Sequence, residues 1–143
     1  MHPGMFLVFG VLLLTSSVLS KNDNLDTIYK AIKDIIGFDQ NELMKIREAV
    51  IAKKFGKQDH RLDSNLEKRR HDFVQTAKSL PRDARRFMYS LIHSGLNPKS
   101  KRPHFFKSWN RLESKYRGKI SKDSCSILLK KFPGLAKYKI CTA

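Results

Sequence analysis

Apolar residues recur at intervals of three and four along almost the whole chain, and no stretch alternates with the two-residue period of a strand. That period predicts an all-α fold, a compact bundle of about six short amphipathic helices. "NLDTIYKAIKDIIGF" puts Leu25, Ile28, Ile32, Ile35 and Ile36 on one stripe, and Gly37 stops it. Asp39 with Glu42 is a capping-box pattern that opens a second helix bearing Leu43, Ile46, Val50 and Ile51. That helix runs toward Phe55, with Gly56 as its C′ residue. After the polar loop "GKQDHRLDSN", Ser64 and Glu67 form a second capping box before Leu66, Phe73, Val74, Ala77 and Leu80. Pro81 suits the first turn of a fourth helix, Asp83 its positive end, and Gly95 its stop. Its stripe is Ala84, Phe87, Met88, Leu91 and Ile92. The basic linker "NPKSKRP" leads to a fifth helix after Pro103, with Phe106, Trp109, Leu112 and Tyr116 on one side and Lys107, Arg111 and Lys115 on the other. Gly118 breaks it, Ser121 caps a sixth helix, Pro133–Gly134 ends that one, and a last turn holds Leu135, Tyr138 and Ile140.

Residues 1–20 contain no Asp, Glu, Lys or Arg, and Phe6 to Leu14 is apolar except for Gly10. Val18 and Ser20 sit where a cut before Lys21 needs small or medium side chains. This is the layout of a secretory signal peptide. A membrane anchor is the other reading, but the run falls short of the ~20 apolar residues a span requires. The expectation is a secreted, extracellular protein whose mature form is a single domain, 21–143. All 29 Lys+Arg and all 13 Asp+Glu lie in that part, so the net charge of +16 is concentrated on a small body. Such a field attracts lipid head groups, sulfated glycans, nucleic acid or acidic proteins. Export argues against nucleic acid, and none is expected.

Cys125 and Cys141 can pair in one way only, and an oxidising compartment favours the bond. The closed loop of about 15 residues would stabilise the fold by roughly 3 kcal/mol in the chain-entropy picture. The alternative is a buried thiol at Cys125, on the face shared with Leu128, Leu129 and Phe132. The pairing is the expectation.

No nucleophile elbow, phosphate-cradling glycine loop, H-E-x-x-H or paired CxxC occurs. His60, His71, His93 and His104 lack metal-ligand spacing. The expectation is a protein that is not an enzyme, with no metal and no cofactor. Basic residues gather at Lys68–Arg69–Arg70, Arg82 to Arg86, and Lys99 to Lys119. Each group alone reads as the solvated face of a helix; the excess over acids is what points to an anionic partner. The aromatics of "RPHFFKSWNRLESKYRGK" would suit a nucleic-acid stacking platform, yet their spacing fits a core stripe better. Dibasic pairs at Arg69–Arg70, Arg85–Arg86 and Lys101–Arg102 are poorly placed for processing, inside helices or before proline, and no N-x-S/T sequon is present.

Two stretches together resemble the nematode fatty acid- and retinol-binding family. In "SLPRDARRFMYSLI" (79–92) a helix ends in Leu, a Pro-led turn follows, and the next helix opens with Ala, a basic residue and Phe. "SKYRGKISKDSCSILLKKFPGLAKYKI" (114–140) resembles the end of that family, with a Lys-Tyr pair, a Ser-started helix, a Lys-rich turn and Phe-Pro. Residues 27–55 are similar to its first helices. The chain departs from the family in its high charge, in a shorter span before Pro81 and in its two cysteines. The resemblance implies a secreted carrier that holds fatty acids, and retinol, in an internal apolar cavity and exchanges them with anionic membranes. The lining residues it implies are Ile32, Ile36, Ile46, Val50, Phe73, Phe87, Leu91, Phe106, Trp109, Leu128 and Phe132. For the carboxylate the candidates are Arg70 and Arg86, on helices three and four near their junction. The competing class is a secreted cationic effector, binding anionic membranes or glycans or acting as a receptor ligand, with no lipid cavity.

Overall fold

Capping side chains fix where most helices of this chain begin. The structure, a computed structural model, describes residues 25–56 and 62–141. The expected signal peptide (1–20) and His60 lie outside them. The described residues form six helices and no strand: α1 (25–35), α2 (Gln40–Lys54), α3 (Ser64–Lys78), α4 (Arg82–Leu96), α5 (Trp109–Tyr116) and α6 (Lys122–Lys131). A 3-10 turn, Pro133–Lys137, follows. Ahead of α2 the capping box closes as the sequence indicates. Asp39 accepts from the Glu42 N–H at 2.8 Å, and the Glu42 side chain accepts from the Asp39 N–H at 3.0 Å. Ser121 caps α6 with its side chain alone, accepting from Ser124 N at 3.1 Å.

Four boundaries differ from expectation, each for a local reason. Asp63, not Ser64, caps α3, accepting from Leu66 N at 2.8 Å. A carboxylate one residue earlier is a stronger acceptor at the positive helix end than a hydroxyl. Pro81 stands outside α4 as its extended N-cap residue, and the helix opens at Arg82. Gly95 does not stop α4 but lies inside it. A Cβ there would run into the end of the Ile32 side chain, so the glycine is what lets α1 and α4 cross closely. The fifth helix starts only at Trp109, capped by Ser108, so Phe106 belongs to the preceding loop. That loop is held by Phe106 N–H, which donates to the buried Ser94 Oγ at 2.8 Å.

The buried side chains make one cluster running from Ile28 to Ile140. α4 is at its centre, burying Ala84, Phe87, Met88, Leu91 and Ile92 and packing against α2, α3, α5 and α6. α1 enters the same core with Ile28, Ala31 and Ile32, all fully buried. Distant segments hold α1 in place. Trp109 N–H donates to Thr27 Oγ1 at 2.9 Å, and Tyr138 O–H donates to the Asp34 carboxylate at 2.7 Å. Burial, then that hydrogen bond, raises the Tyr138 pKa. Gly134 presses directly on the end of α1. A Cβ there would collide with the Asp34 carbonyl oxygen and lie 2.9 Å from its carbon.

The two glycine contacts differ in what has to yield. At Gly95 the obstacle is a flexible side-chain tip; at Gly134 it is backbone. Gly134→Ala is therefore expected to cost about 2–4 kcal/mol, and Gly95→Ala distinctly less. Thermal unfolding followed by circular dichroism should place the midpoint of Gly134→Ala well below that of Gly95→Ala.

Candidate functional site

The eleven apolar residues implied as cavity lining do not share one fate. Ile32, Ile46, Phe73, Phe87, Leu91, Trp109, Leu128 and Phe132 are buried in the core cluster, while Ile36 and Phe106 are half-buried against it. Their rings interlock edge to face, Phe73 between Phe38 and Phe132, and Phe87 between Trp109 and Tyr116, with centroids 5.7–6.2 Å apart. Val50 is a correction: it is 56 % exposed. It shares a helical face with Leu43 and Ile46, but the far end of α2 leaves it uncovered, so it lines nothing internal.

The carboxylate candidates separate as well. Arg70 is engaged by its own helix, with two hydrogen bonds to the Glu67 carboxylate at 3.1 and 2.7 Å. Its neighbour Arg69 bonds Glu42 and the Gly37 carbonyl and sits over the Phe38 ring at 5.2 Å. Arg69 is also the main reason why the Glu42 carboxyl lies below its usual range. Much of the first basic cluster is thus spent on the fold. Arg86 is placed differently. It faces an open groove of about 650 Å³ between α4 and the end of α5, which gathers cations and aromatics around a usable volume.

The groove follows from helical spacing. Asp83, Arg86, Ser90 and His93 are three or four apart and line one face of α4 over about 15 Å. Opposite stand His104 and Phe105 from the loop, and Lys115, Tyr116 and Lys119. Three contacts set its ends and middle. At one end Asp83 accepts from Ser121 N at 2.9 Å and Ala84 N at 2.8 Å. Bonds from the Ser124 hydroxyl first, then Ser121, hold its carboxyl below the usual value. In the middle the Ser90 and Tyr116 hydroxyls are 2.6 Å apart. At the other end His93 stacks on Phe105, centroids 5.8 Å apart and planes 17° from parallel, with Tyr89 beside it.

The electrostatics are polar in the axial sense. Asp83 is committed to backbone and hydroxyl donors. Among the described residues Arg86, Lys115 and Lys119 form no ion pair. His93 is pushed toward its neutral form, because burial between rings lowers its pKa. One end therefore offers charge, and the other offers Tyr89, Phe105 and an uncharged imidazole. Volumes of ~300–1,000 Å³ are typical of small-ligand sites.

Cys125 and Cys141 are bonded, with Cα atoms 5.5 Å apart, pinning the chain end to the first turns of α6. Among the described residues no helix is long and apolar enough to cross a membrane.

No family model, curated protein or solved structure matches the chain. The groove is thus the source of functional argument. Sequence reasoning named only Arg86 of its lining as a ligand residue. Tyr116 read as core and Lys115 as solvated face, both partly true. The spacing of Asp83, Arg86, Ser90 and His93 beside the apolar stripe was available as a signal. The return of 104–119 across it is tertiary and leaves no mark in sequence.

Asp83 joins the starts of α4 and α6, and its lowered pKa gives the sign of its effect. Its contribution is present above the ordinary aspartate value of 3.8 and is lost as pH falls through the lower folded value. Asp83→Asn should therefore lower the unfolding midpoint at neutral pH, and its deficit against wild type should shrink in acid below that value. Urea titrations across pH will show whether the two curves converge.

Proposed function

We propose that the protein is a secreted lipid-binding carrier that holds fatty acids by the α4–α5 groove and exchanges them with membranes. The observation that supports this is the axial division of the groove. Among the described residues Arg86, Lys115 and Lys119 line it without an ion pair, from the Asp83 end to the middle, and Tyr89, Phe105 and Tyr116 supply ring faces along the rest. A fatty acid has the matching division. Its carboxylate gains charge-assisted hydrogen bonds, and its chain gains about 0.8 kcal/mol per methylene removed from water. An open groove also lets the chain leave directly into a bilayer. The sequence resemblance favours the same ligand class. Retinol, with no carboxylate, would use the aromatic end alone and is expected to bind more weakly.

The test is a titration of purified, delipidated protein with an environment-sensitive fluorescent fatty acid, in buffer free of vesicles. A saturable blue shift reversed by unlabelled oleate is expected. Arg86→Gln should weaken oleate about threefold to tenfold, and Phe105→Ala by a similar factor. Absence of any shift with folded, helical protein would defeat the carrier reading. Strongly salt-dependent binding to anionic vesicles in its place would favour the cationic effector.

A further inference from the structure

Helix α2 carries apolar residues on two faces, although the core needs only one. Leu43 and Ile46 point into the core at 1 % and 4 % exposure. Met44, Ile51 and Phe55, seven and four residues apart, lie along the opposite face, exposed by 38 %, 41 % and 72 %. Phe55 is the C-cap residue, and Gly56 turns the chain there at φ +70°, so the most exposed ring stands at a tip. Lys45 and Lys54 flank this face, one on either side. Of the two acids on this helix, Glu42 is matched by Arg69, and Glu48 lies on this face between Met44 and Ile51, one turn or more back from the Phe55 tip.

We propose that the C-terminal half of α2, with Ile51 and Phe55 inserted and Lys54 at the head groups, is the element that docks this protein on anionic lipid bilayers. Two features select a bilayer over a protein partner. Stable protein interfaces engage about 20–30 residues a side, far more than this patch of three. A bilayer surface needs only a few apolar side chains, because the attraction of basic residues to anionic lipid adds to their insertion. The chain's +16 charge supplies that attraction over the whole surface. The patch gives it an orientation. The docking is an extension of the proposed exchange with membranes, but it does not depend on the groove holding a ligand.

The experiment uses the full secreted chain and sedimentation with phosphatidylcholine vesicles, with or without about 20 % phosphatidylserine, at physiological salt. The wild type is expected to partition onto the anionic vesicles only. Ile51→Ser/Phe55→Ser should lower that partitioning about tenfold or more, since two side chains no longer insert. Ile127→Ser, at another exposed apolar position, should leave it unchanged. Both variants alter exposed side chains and should unfold like the wild type. Wild-type protein that fails to sediment with anionic vesicles would overturn the proposal. So would unchanged partitioning of the double variant, which would mean adsorption by diffuse charge. A wild-type dimer that the double variant converts to monomer, seen by light scattering, would assign the face to a second copy instead. The fatty-acid titration without vesicles should be the same for wild type and double variant. Loss of that titration in the wild type would count against the groove alone.

Discussion

The close seating of α1 under the C-terminal half of the chain is the constraint on which the rest of this fold depends. It rests on two places where a side chain is missing. At Gly95, inside α4, the absent Cβ makes room for Ile32; at Gly134 it lets the 3-10 turn lie on the Asp34 carbonyl. Thr27 and Asp34 then receive their hydrogen bonds from Trp109 and Tyr138, and the ring of Tyr138 comes within 4.6 Å of Trp109. Without that seating, α4 would lose one wall of its surroundings, and the groove on its other face would lose a rigid floor.

Much of this was legible in the sequence, because helix boundaries are local chemistry. The Asp39–Glu42 box, the Ser121 cap and the stops at Gly37, Gly56 and Gly118 all stand where the residues indicate, and each of these glycines has positive φ. The disagreements arise where tertiary contact outranks local preference. Gly95 reads as a stop by propensity, yet continues the helix because a neighbour needs its space. Phe106 reads as part of a helical stripe, yet its N–H is claimed by Ser94 on another helix. Val50 falls on the correct face of a wheel, but a wheel does not know where the neighbouring helix ends.

The site was less legible, for a related reason. Composition revealed an excess of positive charge but not how it is divided. Arg69 and Arg70 look the same as Arg86 in sequence. In the fold the first two are matched by Glu42 and Glu67, and the third borders the groove without a carboxylate partner among the described residues. What distinguishes them is not residue type but whether an acid lies within reach. The apolar excess shows the same sorting on α2, where hydrophobic residues divide between a face that builds the core and one that the fold leaves over.

The grip on α1 has a consequence for the order in which the protein is made. Asp34 and its partner Tyr138 are 104 residues apart, and Thr27 and Trp109 are 82 apart. At synthesis rates of 5–20 residues per second, the first helix waits roughly 5–20 s for the segment that covers it. Its stripe of isoleucines is complete long before any native partner from the C-terminal end exists. Early local helices therefore cannot lock into place one after another. Closure waits for residues translated 82 to 104 positions later, and through that interval α1 is the segment with the most to lose from a chance encounter with another nascent chain.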